Sequence, residues 1–378
     1  MRRRRAWSMS ERRVFIRGFS SRCMHEGLVD ADITRAYALP SEYYTDAALF
    51  SQLYSRFEGC WHFAAHADEL EENNILPLTR MEQLLGQSML LSRSEKLMCL
   101  SNVCTHRGML IAEEATSASQ LQCPYHGRTF GLDGSFRSMP EFDAVKDFPS
   151  VADDLRNFSL ESWKGLLFTS LEAGGFSELA DELEARLHWM PVESFRHDPS
   201  RSREYDINAN WALYVENYLE GFHIPYVHAD LHRTLDHDGY DTEVFGGGVL
   251  QIGVAREGEP CFILPESSPD HGRRIAAYYC WLFPSTMLNF YPWGLSVNIV
   301  VPLDVSRTRI IYRGYVWDES KLGKGAGAHL DKVEAEDQAI VEAVQRGMRS
   351  RCYERGRYSP TQERGVHHFH RMLTEAGR

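Results

Sequence analysis

Nowhere does the 378-residue chain reach the roughly 18 consecutive apolar residues that a membrane-spanning helix needs. Basic charge is also short, with 41 Lys and Arg against 53 Asp and Glu, a net charge of −12. Binding to nucleic acid or to an anionic membrane rests on clustered Lys and Arg, so neither is expected as a partner and a small-molecule substrate fits better. Cysteine, at eight residues, is too sparse and scattered for a secreted disulfide framework. Six of these, Cys23, Cys60, Cys99, Cys261, Cys280 and Cys352, sit mostly in apolar surroundings and read as buried thiols of a reducing compartment. There is no Gly-rich dinucleotide fingerprint, internal repeat or low-complexity tract. What remains is the composition of a globular protein, long enough for about two domains that each bury a full core.

The other two cysteines lie in the most informative stretch. Cys104-Thr105-His106 is followed, after sixteen residues, by Cys123-Pro124-Tyr125-His126. Each loop offers one thiolate and one imidazole, the ligand set of a Rieske [2Fe–2S] cluster, in which one iron keeps two Cys and the other takes two His. Cys104 and Cys123 would hold the first iron, and His106 and His126 the second. A tetrahedral Cys2His2 zinc ion is the competing occupant. Zinc sites, however, usually pair Cys with Cys and His with His, and here Gly108 and Gly127 follow at turn positions beside the sulfurs.

A second group of ligand types falls in the aromatic-rich segment from Asn210 to His228, which reads as a helix carrying Glu216, Asn217, Glu220, His223 and His228. Two His and one carboxylate on one face are the ligands of a mononuclear non-heme Fe(II) with open positions. Residues five apart on a regular helix differ by about 140°, so His223 and His228 need a bent turn to share an ion. Pro225 between them is the expected cause. His228 with His232, four apart, is the alternative pair. The third ligand is sought in the closing helix, His329 to Met348, where Val333, Ile340, Val341, Val344 and Met348 form one face. Asp337 falls in that stripe, where a charge is costly unless paired or bound to metal, while Glu336 points to the polar side. A buried Arg is the other partner Asp337 could have.

The remaining pattern is α+β. Residues 30–39 and 46–57 read as helix-forming, with Pro40 as a break and Asp46 as an N-cap. From Cys60 to Phe168 short apolar stretches alternate with turns, an all-β signature. A surface helix at 178–186 leads to a second domain starting near Ser202. Its strand-like runs at 249–255, 276–283, 295–302 and 309–316 suggest one antiparallel sheet. The expected division is a basic, poorly ordered leader (1–28), N-terminal helices packing on the catalytic domain (29–56), a Rieske domain (57–170) and a mononuclear-iron domain (171–378). The Arg- and Ser-rich, acid-poor start fits a cytoplasmic protein or an organelle transit peptide, and reads the same if translation begins at Met9 or Met24.

Together the motifs Cys-x-His-x16-Cys-x-x-His and Glu-Asn-x5-His-x4-His resemble those of the large subunits of Rieske non-heme iron oxygenases. These include ring-hydroxylating dioxygenases of aromatic catabolism and the choline and carnitine monooxygenases. The resemblance runs from about Ile33 onward. It implies a helix-grip (START-like) catalytic domain around an antiparallel sheet, iron held by His223, His228 and Asp337, and a homotrimer in which electrons cross between subunits. It also implies that the carboxylate three residues before the first His, here Glu220, bridges His223 to His126 of the adjacent chain. Most relatives carry Asp there, so Glu220 departs by one methylene, and a plain helix-surface Glu is the competing reading. Asn217, one turn away, could approach the iron as a weak ligand or simply bond backbone or water.

The expected activity is that of a terminal oxygenase. Electrons pass through the cluster to Fe(II), and O2 is activated to hydroxylate or oxidatively demethylate a small substrate, with a quaternary amine as the candidate. Since the chain has no dinucleotide fingerprint, NAD(P)H and flavin would belong to a separate reductase. Cis-dihydroxylation of an aromatic ring is the alternative reaction, and a Rieske electron carrier or redox sensor the alternative from another class. Tyr279, Trp281 and Phe283, alternating along one strand, and Phe290-Tyr291-Pro292-Trp293 could cage a quaternary ammonium, hold an aromatic ring, or be core. The His367-His368-x-His370 cluster reads as a solvated or packing segment.

Overall fold

The computed structural model describes residues 27–172 and 174–375, so the arginine-rich leader and Cys23 lie outside the described residues. Residues 30–39 are turns instead of the expected helix. The Asp30 and Asp32 carboxylates accept from the backbone N–H groups two residues on, at 2.9 and 3.0 Å, an arrangement that competes with helix. Arg355 and Arg357 then take the carbonyls of Leu28, Thr34, Ala36 and Ala38. Helix α1 (Ala47–Tyr54) starts as expected at Asp46, whose side chain accepts from the N–H groups of Ala48 and Leu49.

The first half is mainly β. In chain order come β1 (His62–His66), β2 (Ile75–Pro77), α2 (Thr79–Leu85), β3 (Met89–Arg93), β4 (Leu97–Ser101), β5 (Leu121–Gln122), β6 (Thr129–Phe130), β7 (Phe136–Ser138), β8 (Asn157–Trp163) and β9 (Leu166–Ser170). Six of the strands form one sheet in the order β1-β9-β8-β4-β3-β2, and β5-β6-β7 form a second. The short second sheet has its own small core, where Leu121, Phe130 and Leu155 surround the sulfurs of Cys104 and Cys123.

Beyond α3 (Phe176–Leu187), a surface helix that buries Leu179, Leu183 and Leu187, the chain builds a larger unit. β10 (Arg196–Ile207) is followed by three helices, α4 (Trp211–Tyr218), α5 (Ile224–Val227) and α6 (Ala229–Thr234). Then come β11 (Leu235–Phe245), β12 (Gly248–Ala255), β13 (Ile275–Leu282), β14 (Thr286–Tyr291), β15 (Gly294–Asp304) and β16 (Arg307–Val316). The seven strands make one antiparallel sheet, β10-β16-β15-β14-β13-β12-β11, and α7 (Leu330–Met348) and α8 (Arg364–Thr374) close the chain. Four of these strands coincide with the apolar runs of the sequence.

The central strands are buried on both faces because each face has a cover. One carries α4, which packs on β15 and is covered in turn by α7 and α8. Against the other lies the first half of the chain: Trp163 meets Phe290 at 6.4 Å and Phe63 meets Tyr315 at 6.0 Å. Polar bonds cross the same seam. Arg313 pairs with Glu69, the Tyr315 hydroxyl donates to Glu69 at 2.8 Å, and the His62 ring meets Ser285 Oγ at 3.2 Å.

Two expectations need correction. The inner side of α7 is Glu334, Asp337, Val341 and Gln345, whereas Ile340 and Val344 are each 39% exposed. Gln345 faces inward because it accepts from Asn210 N at 2.7 Å and donates to the Tyr44 carbonyl. Cys352 is exposed, not a buried thiol. Of the two readings of the His cluster in α8, packing holds: His367 and His368 bond the carbonyls of Asp30 and Phe245, and His370 sits between Tyr358 Oη (2.6 Å) and Glu216 (3.0 Å). Among the described residues no helix is long and apolar enough to cross a membrane.

Candidate metal centres

Cys104 and His106 lie in the loop after β4, and Cys123 and His126 in the loop after β5. The two loops share one hydrogen-bond pattern. Each Cys N–H donates to the carbonyl five residues on (Met109 and Arg128, both 2.8 Å), and each Cys carbonyl accepts from the Gly four residues on, at 3.0 and 3.1 Å. Those glycines, Gly108 and Gly127, have φ of +73° and +72°, backbone that a side chain strains. The result puts both sulfurs inside and both imidazoles outside. Cys104 and Cys123 are buried, while the His106 and His126 rings lie 4.8 Å apart at 72°, His126 exposed with the Tyr125 ring tilted against it at 3.7 Å. Burial and the neighbouring Cys123 sulfur raise the Cys104 thiol. Two inward thiols and two outward imidazoles, at the tips of paired loops, fit a cluster with unlike ends.

The second group forms where helix is interrupted. The expected single helix from Asn210 ends at Leu219, because Glu220 turns its carboxylate back to accept from the N–H groups of Phe222 and His223. Pro225 does not kink a continuing helix. It sits in the first turn of the new helix α5, where its missing N–H costs little. His223 precedes α5 and His228 follows it, so a four-residue helix sets their separation.

His223 Nε2 lies 3.1 Å from His228 Nε2, and Asp337 Oδ1 is 3.0 Å from the latter and 3.5 Å from the former. Such spacings fit donor atoms ~2.1 Å from one ion at right angles. The outer nitrogens are held as well. Glu220 Oε1 lies 2.7 Å from His223 Nδ1, and Glu336 Oε2 lies 2.8 Å from His228 Nδ1. A carboxylate on each Nδ1–H fixes the tautomer that presents Nε2 as a lone-pair donor. Glu336, expected on the polar side, is therefore turned to the site, a consequence of His228 leaving its ring buried against α7. Burial opposes protonation of His228, but Asp337 and Glu336 outweigh it and its pKa is raised. His232 is turned elsewhere, 2.7 Å from His237.

A pocket opens beside these atoms, and Asn217 and Glu220 line it. Its floor is a row across the sheet in which Gln251, Tyr279, Asn289 and Ser296 are register partners on successive strands. Period-two alternation puts all of them on one face. The hydroxyl of Tyr218 donates to Asn289 (2.9 Å) and that of Tyr240 to Gln251 (3.0 Å), which pins both rings at the wall. Of the aromatic residues noted in the sequence, Tyr279 and Tyr291 line the pocket, whereas Trp281 packs on Phe369 and Phe283 in the core and Phe290 faces the opposite side. Glu334, one turn before Asp337, also lines the pocket. Its Oε2 accepts from the hydroxyls of Tyr214 and Tyr312, and burial, with the charge of Asp337, pushes its carboxyl up to about 7. The signal available for Asn289 was a polar residue inside an apolar run, whereas Glu334 stands in a stretch of charged residues that gives none.

Residues 60–149 match the Rieske [2Fe-2S] domain family, and residues 196–376 match the catalytic domain of the ring hydroxylating alpha subunit. The carnitine monooxygenase oxygenase subunit of Escherichia coli K12 is 30% identical over 365 residues, covering 91% of this chain and 95% of that protein. The choline monooxygenase, chloroplastic, of Arabidopsis thaliana is 28% identical, covering 96% and 88%. Among solved structures, a quaternary ammonium Rieske monooxygenase superposes with a TM-score of 0.74 at 25% identity, covering 90% and 95%. Naphthalene 1,2-dioxygenase from Rhodococcus shares the fold, with a TM-score of 0.70 at 18% identity over 89% and 93%. The chain thus belongs to the Rieske oxygenases, oxygen-incorporating oxidoreductases that join a Rieske [2Fe–2S] domain to a ring-hydroxylating-type catalytic domain with a mononuclear iron.

Proposed function

We propose that this chain is the terminal component of a monooxygenase for a small quaternary amine. The reading rests chiefly on a pocket walled by tyrosines, among them Tyr218, Tyr279 and Tyr291, beside the His223, His228 and Asp337 donor atoms, with no Lys or Arg among its described lining residues. Ring faces and carboxylates favour an organic cation. The names of the carnitine and choline monooxygenases support the same substrate class.

In this reading Cys104, His106, Cys123 and His126 hold the cluster within residues 57–170, and His223, His228 and Asp337 hold the iron within residues 171–378. When bound, the cluster supplies electrons singly and the iron activates O2. The chain's own residues do the rest. Glu220 and Glu336 keep the two imidazoles facing one point, and the tyrosine wall excludes water while it orients a C–H bond toward that point. Overall, one O2, two electrons and two protons give one substrate hydroxyl and one water. The electrons come from NAD(P)H through a separate reductase carrying flavin and iron–sulfur groups.

To Glu220, bonded to His223, this reading also assigns a bond from His126 of the partner subunit in a homotrimer. The exposure of His126 suits that role. A solved relative is described in terms of inter-subunit electron transfer.

Iron content and oxygen uptake test the reading together. Purified, iron-loaded protein is expected to hold three irons per chain and to consume O2 with quaternary amines and a reductase. Asp337→Ala, which removes one of the three convergent donors, is expected to hold two, with the visible spectrum of the cluster unchanged. Two irons in the wild type, or O2 uptake with aromatic hydrocarbons and with no amine, would refute it.

A further inference from the structure

The pocket's charge is more specific than its shape. Three carboxylates line it, Glu220, Asp337 and Glu334. The first two are engaged with His223 and His228. Glu334 is not: both hydroxyls that reach it, from Tyr214 and Tyr312, go to Oε2, and among the described residues no hydrogen bond reaches Oε1 and no Lys, Arg or His pairs with it. The guanidinium groups of a neighbouring cavity that shares the Glu334 wall are already engaged, Arg201 with Asp198 at 3.3 Å and Arg203 with the Ser200 carbonyl at 2.6 Å. On the floor, Asn298 Oδ1 accepts from Asn289 Nδ2 at 3.1 Å, while Asn298 Nδ2 makes no hydrogen bond among the described residues. An enclosed carboxylate without a counter-charge is costly, and a cation from outside can supply one.

Building on the quaternary-amine reading, we infer that the pocket selects by net charge. It takes a monocation with a neutral polar end, the ammonium set between Glu334 and the tyrosine rings, and rejects zwitterions that carry a carboxylate. A hydroxyl suits the free Asn298 amide. A substrate carboxylate would enter a space already holding three acids and no described cation.

Anaerobic calorimetric titration of the iron-loaded enzyme tests this with choline, L-carnitine and the uncharged isostere 3,3-dimethylbutan-1-ol. Choline is expected to bind at least tenfold more tightly than either of the others. Glu334→Gln keeps an oxygen for the two tyrosine hydroxyls, and should weaken choline tenfold or more while leaving the isostere within twofold. Glu334→Asp keeps the charge and should retain the preference for choline over the isostere. Where the Gln variant fails to retain three irons per chain, the wild-type and Asp titrations decide the matter alone. Carnitine binding as tightly as choline, or a Gln variant that weakens cation and isostere equally, overturns charge selection and leaves the oxygenase reading standing. If no quaternary amine binds or drives O2 uptake, both fall.

Discussion

Glu220→Gln is the substitution that separates positioning from electron transfer. In the wild type Oε1 meets His223 Nδ1 at 2.7 Å while Oε2 accepts from the Phe222 N–H and, at 3.0 Å, from the His223 N–H. Glutamine has one oxygen. Turned either way, its NH2 faces donors, either the imidazole N–H or the pair of backbone N–H groups. Each charge-assisted bond contributes about 1.5–3 kcal/mol and a neutral one about 1, so the variant loses roughly 2–4 kcal/mol of local order at the turn joining α4 to α5. Changes to a carboxylate behind a metal-bound histidine typically lower affinity or activity by about 10–100-fold. The expected result is a chain that keeps its cluster and folds, holds iron at His223 more weakly, and passes electrons at least tenfold more slowly. The assay mixes fully reduced enzyme with O2 and substrate and follows bleaching or recovery of the cluster's visible absorption, with iron counted on the same sample. Cluster reoxidation within twofold of wild type, at equal iron content, would refute the bridging role and leave Glu220 a turn cap.

Acid should weaken the seam between the two halves through His62. Its ring lies buried between the Phe57 carbonyl (2.8 Å) and Ser285, and burial lowers its pKa to about 4. The unfolded chain takes up that proton near pH 6.5, so stability is whole above 6.5 and falls as pH drops toward 4, by about 2 kcal/mol at pH 5. Denaturation curves at pH 7 and pH 5 check this, and a His62→Gln chain as acid-sensitive as wild type would contradict it. Gly127→Ala should cost about 1–2 kcal/mol from backbone conformation alone, because an added Cβ meets only Pro140 and Gln122, at 3.7 and 3.8 Å. It should appear as faster thermal loss of the cluster absorption, with no loss of iron from the mononuclear site.

Legibility followed how local each feature is. The cluster motif is two short loops, and its residue types and its two turn glycines can be read without any tertiary knowledge. β12, β13, β15 and β16 were legible as apolar runs because they lie inside the sheet, covered on both faces. β10 and β11 were not, since they are the two edges of that sheet, rich in Arg and Asp and largely solvated, and an edge strand needs no apolar pattern. Residues 30–39 carried helix-compatible composition, but their carbonyls are claimed by two arginines more than 300 positions later, a long-range term that no local propensity contains. The bend between His223 and His228 was foreseen and its cause misassigned. Proline was the visible signal, whereas the operative one is the Glu220 carboxylate folding back onto its own backbone.

Helix α7 shows why Asp337 could be found from a stripe that was drawn wrongly. Two of the five apolar residues that defined the stripe, Ile340 and Val344, face outward, and the residues that face inward include Glu334, Asp337 and Gln345 beside Val341. A helix that turns polar residues inward is stable only if each has a partner. Here each does: two tyrosine hydroxyls for Glu334, two imidazoles for Asp337, and the Asn210 N–H and Tyr44 carbonyl for Gln345. Those partners sit on α4 and the segment after it, β16 and the N-terminal turn, so the helix ties three distant parts of the chain together through polar bonds. A carboxylate on such a helix can be exchanged for an apolar residue only by leaving the groups it satisfies without a partner. The same reasoning makes the apolar outer residues of α7 the easier ones to replace. Ile340→Ser is therefore expected to leave iron content and fold unchanged, in contrast to Asp337→Ala on the opposite face.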